Sequence, residues 1–153
     1  MGVLNDNTRL GASATGTYEI ERSLRFNSAD TAYLNHTPGS SGDRQVWTWS
    51  AWVKRTKLST TQYIFVSGGA AAGGNLTGLV LNTSDCPIIY WGTSSGNAQT
   101  GTIPLRDTGA WFHLVLKADG SNCTMYVNNV QYHQHTNTGS DGGINHNQQH
   151  TIG

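Results

Sequence analysis

The chain's only two glutamates, Glu19 and Glu21 in "YEIER", stand two residues apart. On a strand that spacing puts both carboxylates on one face, and a glycosidase that retains configuration needs two carboxyl groups about 5 Å apart. Two exposed strand carboxylates fit the same pattern without catalysis, and no third acidic residue stands between them, so no catalytic pair is expected. Hydrolysis by a Ser/His/Asp set has only composition behind it, and no nucleophile elbow is expected.

Metal-ligating types cluster near the C-terminal end. His133 and His135 could project together from a strand, with His146 and His150 following. A closed zinc site needs four ligands of defined reach, and a polar loop separates these pairs, so zinc is not expected. Asp30, Asp43, Asp119 and Asp141 are loop carboxylates suited to calcium, yet none belongs to a D-x-D-x-D-G array. His113 alternates with Trp111, Val115 and Lys117 and reads as a hydrogen-bonded structural histidine.

Sugar binding has the better physical basis. Sugars present C–H faces that stack on aromatic rings and hydroxyls that suit amides and carboxylates. Trp91 at the end of "CPIIYW", Tyr132 beyond a tight turn, Asn97 in the loop after Trp91, and Trp52 are the candidates. Against the site stands the favoured reading of Trp91 as a cap on the core, beside Trp47 and Trp49.

These residues need elements to hold them. In "VWTWSAWVK" a period of two places Trp47, Trp49, Ala51 and Val53 on one face and Thr48, Ser50, Trp52 and Lys54 on the other. The first face reads as the inward side of a central strand; Trp52 is either covered by another layer or open as a site. Strand signals recur from Tyr18 to Phe26, from Ala32, and over 62–67, 76–82, 86–91, 99–105, 111–118, 123–128 and 130–135. Asn128-Asn129 predicts a two-residue type I′ turn. Short strands joined by Gly- and Asn-rich turns predict an all-β antiparallel sandwich or barrel. Residues 136–149 read as a polar loop. Residues 1–17 lack alternation and read as an extended N-terminal arm.

The totals narrow the partners. One domain is expected from 153 residues. Charged residues form 12% of the chain and cancel to zero net charge, so no field steers it to nucleic acid or an anionic membrane. No apolar run approaches the roughly 20 residues that span a bilayer, so no membrane insertion is expected, and the N-terminus shows no Sec-type pattern. Cys86 and Cys123 have no metal spacing and are expected as buried free thiols, a disulfide being the alternative.

Three segments, "SLRFNSADTAYL", "WTWSAWVKR" and "WFHLVLKADGSNCTMYVNNVQY", carry a resemblance in that order to the concanavalin A-like lectin and glucanase superfamily in its laminin-G-like form. The wording from Arg22 to Arg55 resembles the branch found in tail or fibre-like structural proteins of bacteriophages. The resemblance implies a jelly-roll sandwich over 18–153. It also implies a virion protein, a fibre or appendage domain, whose arm docks through Leu4, Arg9 and Leu10. Its implied partners are other virion proteins, copies of itself as a trimer or higher oligomer, and host surface glycan. The alternative is a lectin-like carbohydrate-binding module of a secreted or surface protein without a virion role. No cofactor is required, while relatives' use of calcium points to Asp30 and Asp119. The family's glucanases use E-x-D-x-E, whose central Asp is absent between Glu19 and Glu21, so a non-enzyme is expected. Family members also continue past "HTIG" with closing strands, which a longer chain or a neighbouring subunit would supply.

Overall fold

In the computed structural model, residues 22–68, 76–91, 98–136 and 143–153 are described. The expected arm and its docking residues Leu4, Arg9 and Leu10, together with Glu19, Glu21, Asn97 and Asp141, lie outside them.

Among the described residues there are ten strands and no helix: β1 (Leu34–His36), β2 (Val46–Lys54), β3 (Gln62–Ser67), β4 (Thr77–Leu81), β5 (Pro87–Tyr90), β6 (Ala98–Thr100), β7 (Trp111–Asp119), β8 (Asn122–Val127), β9 (Val130–Thr136) and β10 (His150–Ile152). Their pairings are antiparallel and make a six-stranded sheet, β1-β10-β3-β4-β5-β6, and a four-stranded sheet, β2-β7-β8-β9. The two form the expected sandwich.

β2 shows why the sheets stack. Its period of two turns Trp47, Trp49, Ala51 and Val53 inward, opposite Ala118, Leu116, Leu114 and Phe112 of β7 in continuous register. Facing them across the sandwich are Phe65, Leu79, Leu81, Ile89 and Trp91. Two ring pairs join the layers: Trp47 stacks on Trp91 with centroids 5.6 Å apart, and Trp49 on Phe65 at 5.3 Å. Such contacts add to the burial that drives the layers together. β4 is buried along its whole length, as a strand covered on both faces should be. Within it Gly78 is required: a Cβ there would lie 2.0 Å from the Phe65 carbonyl oxygen, beside the bulge between Tyr63 and Phe65.

The β8–β9 hairpin turns at Asn128 and Asn129, with φ of 50° and 66°, the pair of positive values that a type I′ turn needs. Asn128 also ties this turn to β7: its Oδ1 accepts the His113 amide at 2.9 Å, and its own amide donates to the His113 carbonyl at 2.8 Å.

Three boundaries differ from the sequence pattern. Residues 22–26 are not strand, and Leu24 is exposed; Phe26 packs instead against Gly153, where a Cβ would come within 2.4 Å of its ring. β6 stops at Thr100; Gly101 still donates to the Pro87 carbonyl at 2.9 Å, and 101–110 beyond it is not strand. β10 adds a strand in the polar C-terminal stretch. Three residues are too few to show a period, and the strand exists because β1 and β3 flank it.

The second positive charge of "WVKR" goes inside. Arg55 is 2% exposed and donates to Gln62 Oε1 (3.0 Å), to the carbonyls of Leu105 (2.6 Å) and Lys57 (3.2 Å), and to Asp85 Oδ1 (2.8 Å). Asp85 is equally buried and also accepts the Ser59 amide at 2.7 Å and Arg106 Nε at 3.2 Å. The Ser59 amide, assisted by Arg55 and Arg106, holds its carboxyl below the usual carboxylate range against the opposing effect of burial. The pair pins three loops at one end of the sandwich.

Candidate functional site

The sequence offered four aromatic or amide candidates, Trp91, Tyr132, Asn97 and Trp52, and the structure separates the three that are described. Trp91 is 1% exposed. Both its ring and its neighbours belong to the core, so it cannot offer a face to a sugar. The reading of Trp91 as a glycan platform is therefore corrected: it is the cap on the core, held by Trp47.

Tyr132 is also corrected as an open platform. Its ring covers Gly101, where a Cβ would fall 1.7 Å from Cε1. Its hydroxyl accepts the Ile103 amide at 3.1 Å and donates to the Ile103 carbonyl. Burial pushes the phenol up to about 12. Tyr132 is a strut between β9 and the segment after β6.

Trp52 is open. It is 52% exposed on the outer face of β2, opposite His113 of β7, and the two rings stack with centroids 5.0 Å apart and planes 28° apart. His113 Nε2 shares a 2.9 Å hydrogen bond with Ser50 Oγ on the same face. His113 is thus a hydrogen-bonded structural histidine, as expected, and it packs on one side of the half-exposed indole. Trp111, 47% exposed, is cross-strand partner to Lys54. It therefore sits on the same face as Trp52 in the diagonal position, about 7–8 Å away by sheet geometry. Sequence reading placed Trp111 in the strand without assigning it to a site. Its signal was parity: it shares a face with His113, and the β2–β7 register is what brings that face beside Trp52.

The surface formed is a two-strand platform with two half-exposed indoles, an oriented imidazole beneath one of them, the Ser50 hydroxyl and the Lys54 ammonium. Ring faces of this kind can stack on the C–H faces of a sugar while hydroxyl and amine groups meet its polar edge.

The acid and metal candidates disperse. Asp119 Oδ1 accepts the amides of Ser121 (3.0 Å) and Asn122 (2.8 Å), and these hold its carboxyl below the usual range. Asp43 does the same with Gln45 and Val46, and Asp30 accepts Asn27 Nδ2 at 2.7 Å. Calcium wants six to eight oxygens. Among the described residues no three His, Cys, Asp or Glu side chains converge as a metal set. Asp30 and Asp119 serve local turns and do not fit a calcium site. His133 and His135 face inward opposite Met125 and Cys123, and burial, then the neighbouring His133, lowers the pKa of His135. Cys86 and Cys123 are buried free thiols, as expected, and burial raises Cys123 to about 12. "GTSSG" at 92–96 does have a Gly-x-Ser-x-Gly spacing; it lies outside the described residues, which contain no helix for a strand-to-helix elbow to feed.

A profile of the concanavalin A-like lectin/glucanases superfamily matches residues 27–153. No curated protein sequence matches it. Among solved structures, a protein of Bacteroides ovatus ATCC 8483, provisionally described as carbohydrate-binding, superposes with a TM-score of 0.54 at 19% identity over 79% of this chain. Domain 4 of AbnA, a GH43 extracellular arabinanase of Geobacillus stearothermophilus in complex with arabinotriose, superposes with a TM-score of 0.55 at 24% identity over 74% of it. The chain spans 34% of the first structure and 52% of the second. At these identities the likeness is one of fold.

Proposed function

The chain belongs to the concanavalin A-like lectin/glucanases superfamily, and on that premise we propose that it is a carbohydrate-binding module whose sugar lies across Trp52 and Trp111. The observation that carries this reading is the pair of half-exposed indoles on one sheet face, with His113 orienting Trp52. Two exposed indoles side by side make a contiguous apolar patch of the kind that marks an interaction site. The carbohydrate descriptions of both similar structures lend the reading support.

Binding without catalysis is part of the proposal. Asp30, Asp43, Asp85, Asp107 and Asp119 are the acidic residues among those described. Asp85 is committed to Arg55, and Asp43, Asp107 and Asp119 cap turns with backbone amides. A retaining glycosidase would need two carboxyl groups about 5 Å apart beside the platform.

The test is an array of neutral oligosaccharides followed by titration of the best binder. Trp52→Ala and Trp111→Ala should each weaken binding at least about tenfold, a difference of about 1.4 kcal/mol. Full affinity in both variants overturns this site.

A finer setting is that the module decorates a bacteriophage particle, as a fibre or appendage domain carrying the glycan contact, in several copies. The sequence resemblance from Arg22 to Arg55 supports it. Immunogold labelling of particles from lysed infected cells tests it, and unlabelled virions with free antigen would reject the setting while leaving the module.

A further inference from the structure

Residues 143–149, which lead into β10, form a strap tied to β3, to β4 and to the loop before β2. Gly143 is fastened through both its backbone groups: its amide donates to Thr77 Oγ1 at 2.7 Å, and its carbonyl accepts from Ser67 Oγ at 2.6 Å. Ile144, 3% exposed, enters the core. Asn145 then joins three parts of the chain. Its carbonyl accepts the Gly42 amide at 2.8 Å, its Nδ2 donates to the Asp43 carbonyl at 2.7 Å, and its own amide donates to His150 Nε2 at 3.1 Å.

That last bond fixes the state of the imidazole. Nδ1 lies 2.9 Å from the Gln148 carbonyl, which only accepts, so Nδ1 carries a proton; Nε2 accepts from an amide, so it carries none. His150 is therefore neutral while the strap is closed. A second proton has only Nε2 to go to, and there its N–H would point at the Asn145 N–H, leaving two donors face to face. His36 of β1 stands directly opposite His150, Ser67 of β3 on its other side, and the Phe65 ring has its centroid 6.2 Å away. The titratable or charged groups on the other elements packed here are His146 on the strap and Asp43 and Arg44 on the loop before β2. The Asp43 carboxylate already accepts the amides of Gln45 and Val46. Burial lowers the pKa of His150; the Gln148 carbonyl opposes this and the nearby His36 adds to it. The strap also holds two buried polar atoms without a partner among the described residues, His146 Nδ1 and Gln148 Oε1. Opening would return both to water, so closure is held against a cost.

We propose that residues 143–149 are an acid-released latch: protonation of His150 unhooks Asn145, the strap leaves the loop before β2, and Ile144 leaves the core while the two sheets stay paired. The open form takes up the proton without losing a bond, so acid shifts the population toward it. Closure is fully favoured above the ordinary histidine value of about 6.5 and weakens as pH falls below it. The latch stands or falls independently of the sugar platform, which lies on the outer face of the other sheet.

The experiment is amide hydrogen exchange followed by NMR, corrected for the intrinsic exchange rate at each pH. Between pH 7 and pH 5 the protection of the Asn145 and Gly42 amides should fall at least about tenfold, while Leu114 and Leu116 in β7 keep theirs. His150→Gln keeps an acceptor on the side chain and does not titrate, so its protection should stay level over the same range; His36→Gln should leave the fall in place. Imidazole nitrogen shifts of the unsubstituted protein should show His150 as the Nδ1–H tautomer at pH 7, and they cover the case in which the glutamine variant does not fold. Level protection in the unsubstituted protein, the same fall in His150→Gln, a fall shared by β7, or an Nε2–H tautomer at pH 7 would each overturn the latch.

Discussion

Trp91→Ala and Trp52→Ala should part stability from binding. Trp91 is sealed between the sheets with its ring on Trp47, so truncation removes apolar burial and leaves a cavity that the flanking strands cannot close. Comparable core truncations cost roughly 3–5 kcal/mol. For a chain of this size each kcal/mol lowers Tm by roughly 2–4 °C, which gives a fall of roughly 6–20 °C. Trp52 loses only its contact with His113, about 0.5–1.5 kcal/mol for a ring pair, and the buried half of an indole, so its Tm should fall by no more than a few degrees. Thermal unfolding followed by circular dichroism, run beside the sugar titration, reads both. Trp91→Phe, which keeps a ring in the space, should fall between wild type and Trp91→Ala and covers the case in which the alanine variant does not fold. A Trp91→Ala protein that melts with wild type would refute the core assignment and with it the stacking of Trp47 on Trp91.

Acid should weaken the fold in two stages. Burial lowers the pKa of His150, as it does that of His135, so the unfolded chain binds more protons than the folded one and stability falls as pH drops below about 6.5. Asp43, Asp85 and Asp119 are likewise depressed by backbone amides; their stabilisation is present above the unfolded value near 4 and is lost on further acidification. A Tm that stays level from pH 7 down to 3 would contradict both shifts. In a double-mutant cycle of Arg55→Met and Asp85→Leu, Asp85→Leu alone should destabilise more than the double variant, because it leaves the buried Arg55 without its counter-ion; additive losses measured by chemical denaturation would argue against the pairing. Gly101→Ala should cost about 1–3 kcal/mol by driving Tyr132 off Ile103. Adding Tyr132→Ala should recover none of the Ile103 bonds but should remove the clash, so the double variant loses less than the two single losses combined.

The strands were legible because burial has a simple period. "VWTWSAWVK" alternates perfectly, β3 has the bounds its sequence suggested, and Asn128-Asn129 turns as two residues tolerant of positive φ must. β10 was not legible, since three residues carry no period and its pairing partners, β1 and β3, lie far back in sequence. Asp85 and Arg55 were not either: charged residues 30 apart show nothing of a meeting that depends on two loops closing at one end of the sandwich.

By itself the sequence determined an all-β antiparallel chain, sandwich or barrel, and the inward face of β2, because local alternation decides which side of a strand can meet water; the sandwich was what the family resemblance implied and the two sheets show. It also determined that Trp91 was either core or site without being able to choose, since a tryptophan at a strand end has the same neighbours in sequence either way. The choice came from the opposite sheet, where Trp47 fills the space against its ring. In the same way the candidate platform was settled by register: Trp52 and Trp111 are 59 positions apart in the chain, and only the antiparallel pairing of β2 with β7 makes them neighbours on one exposed face. A ring becomes a surface or a core residue according to what packs on it, and that partner arrives through tertiary structure.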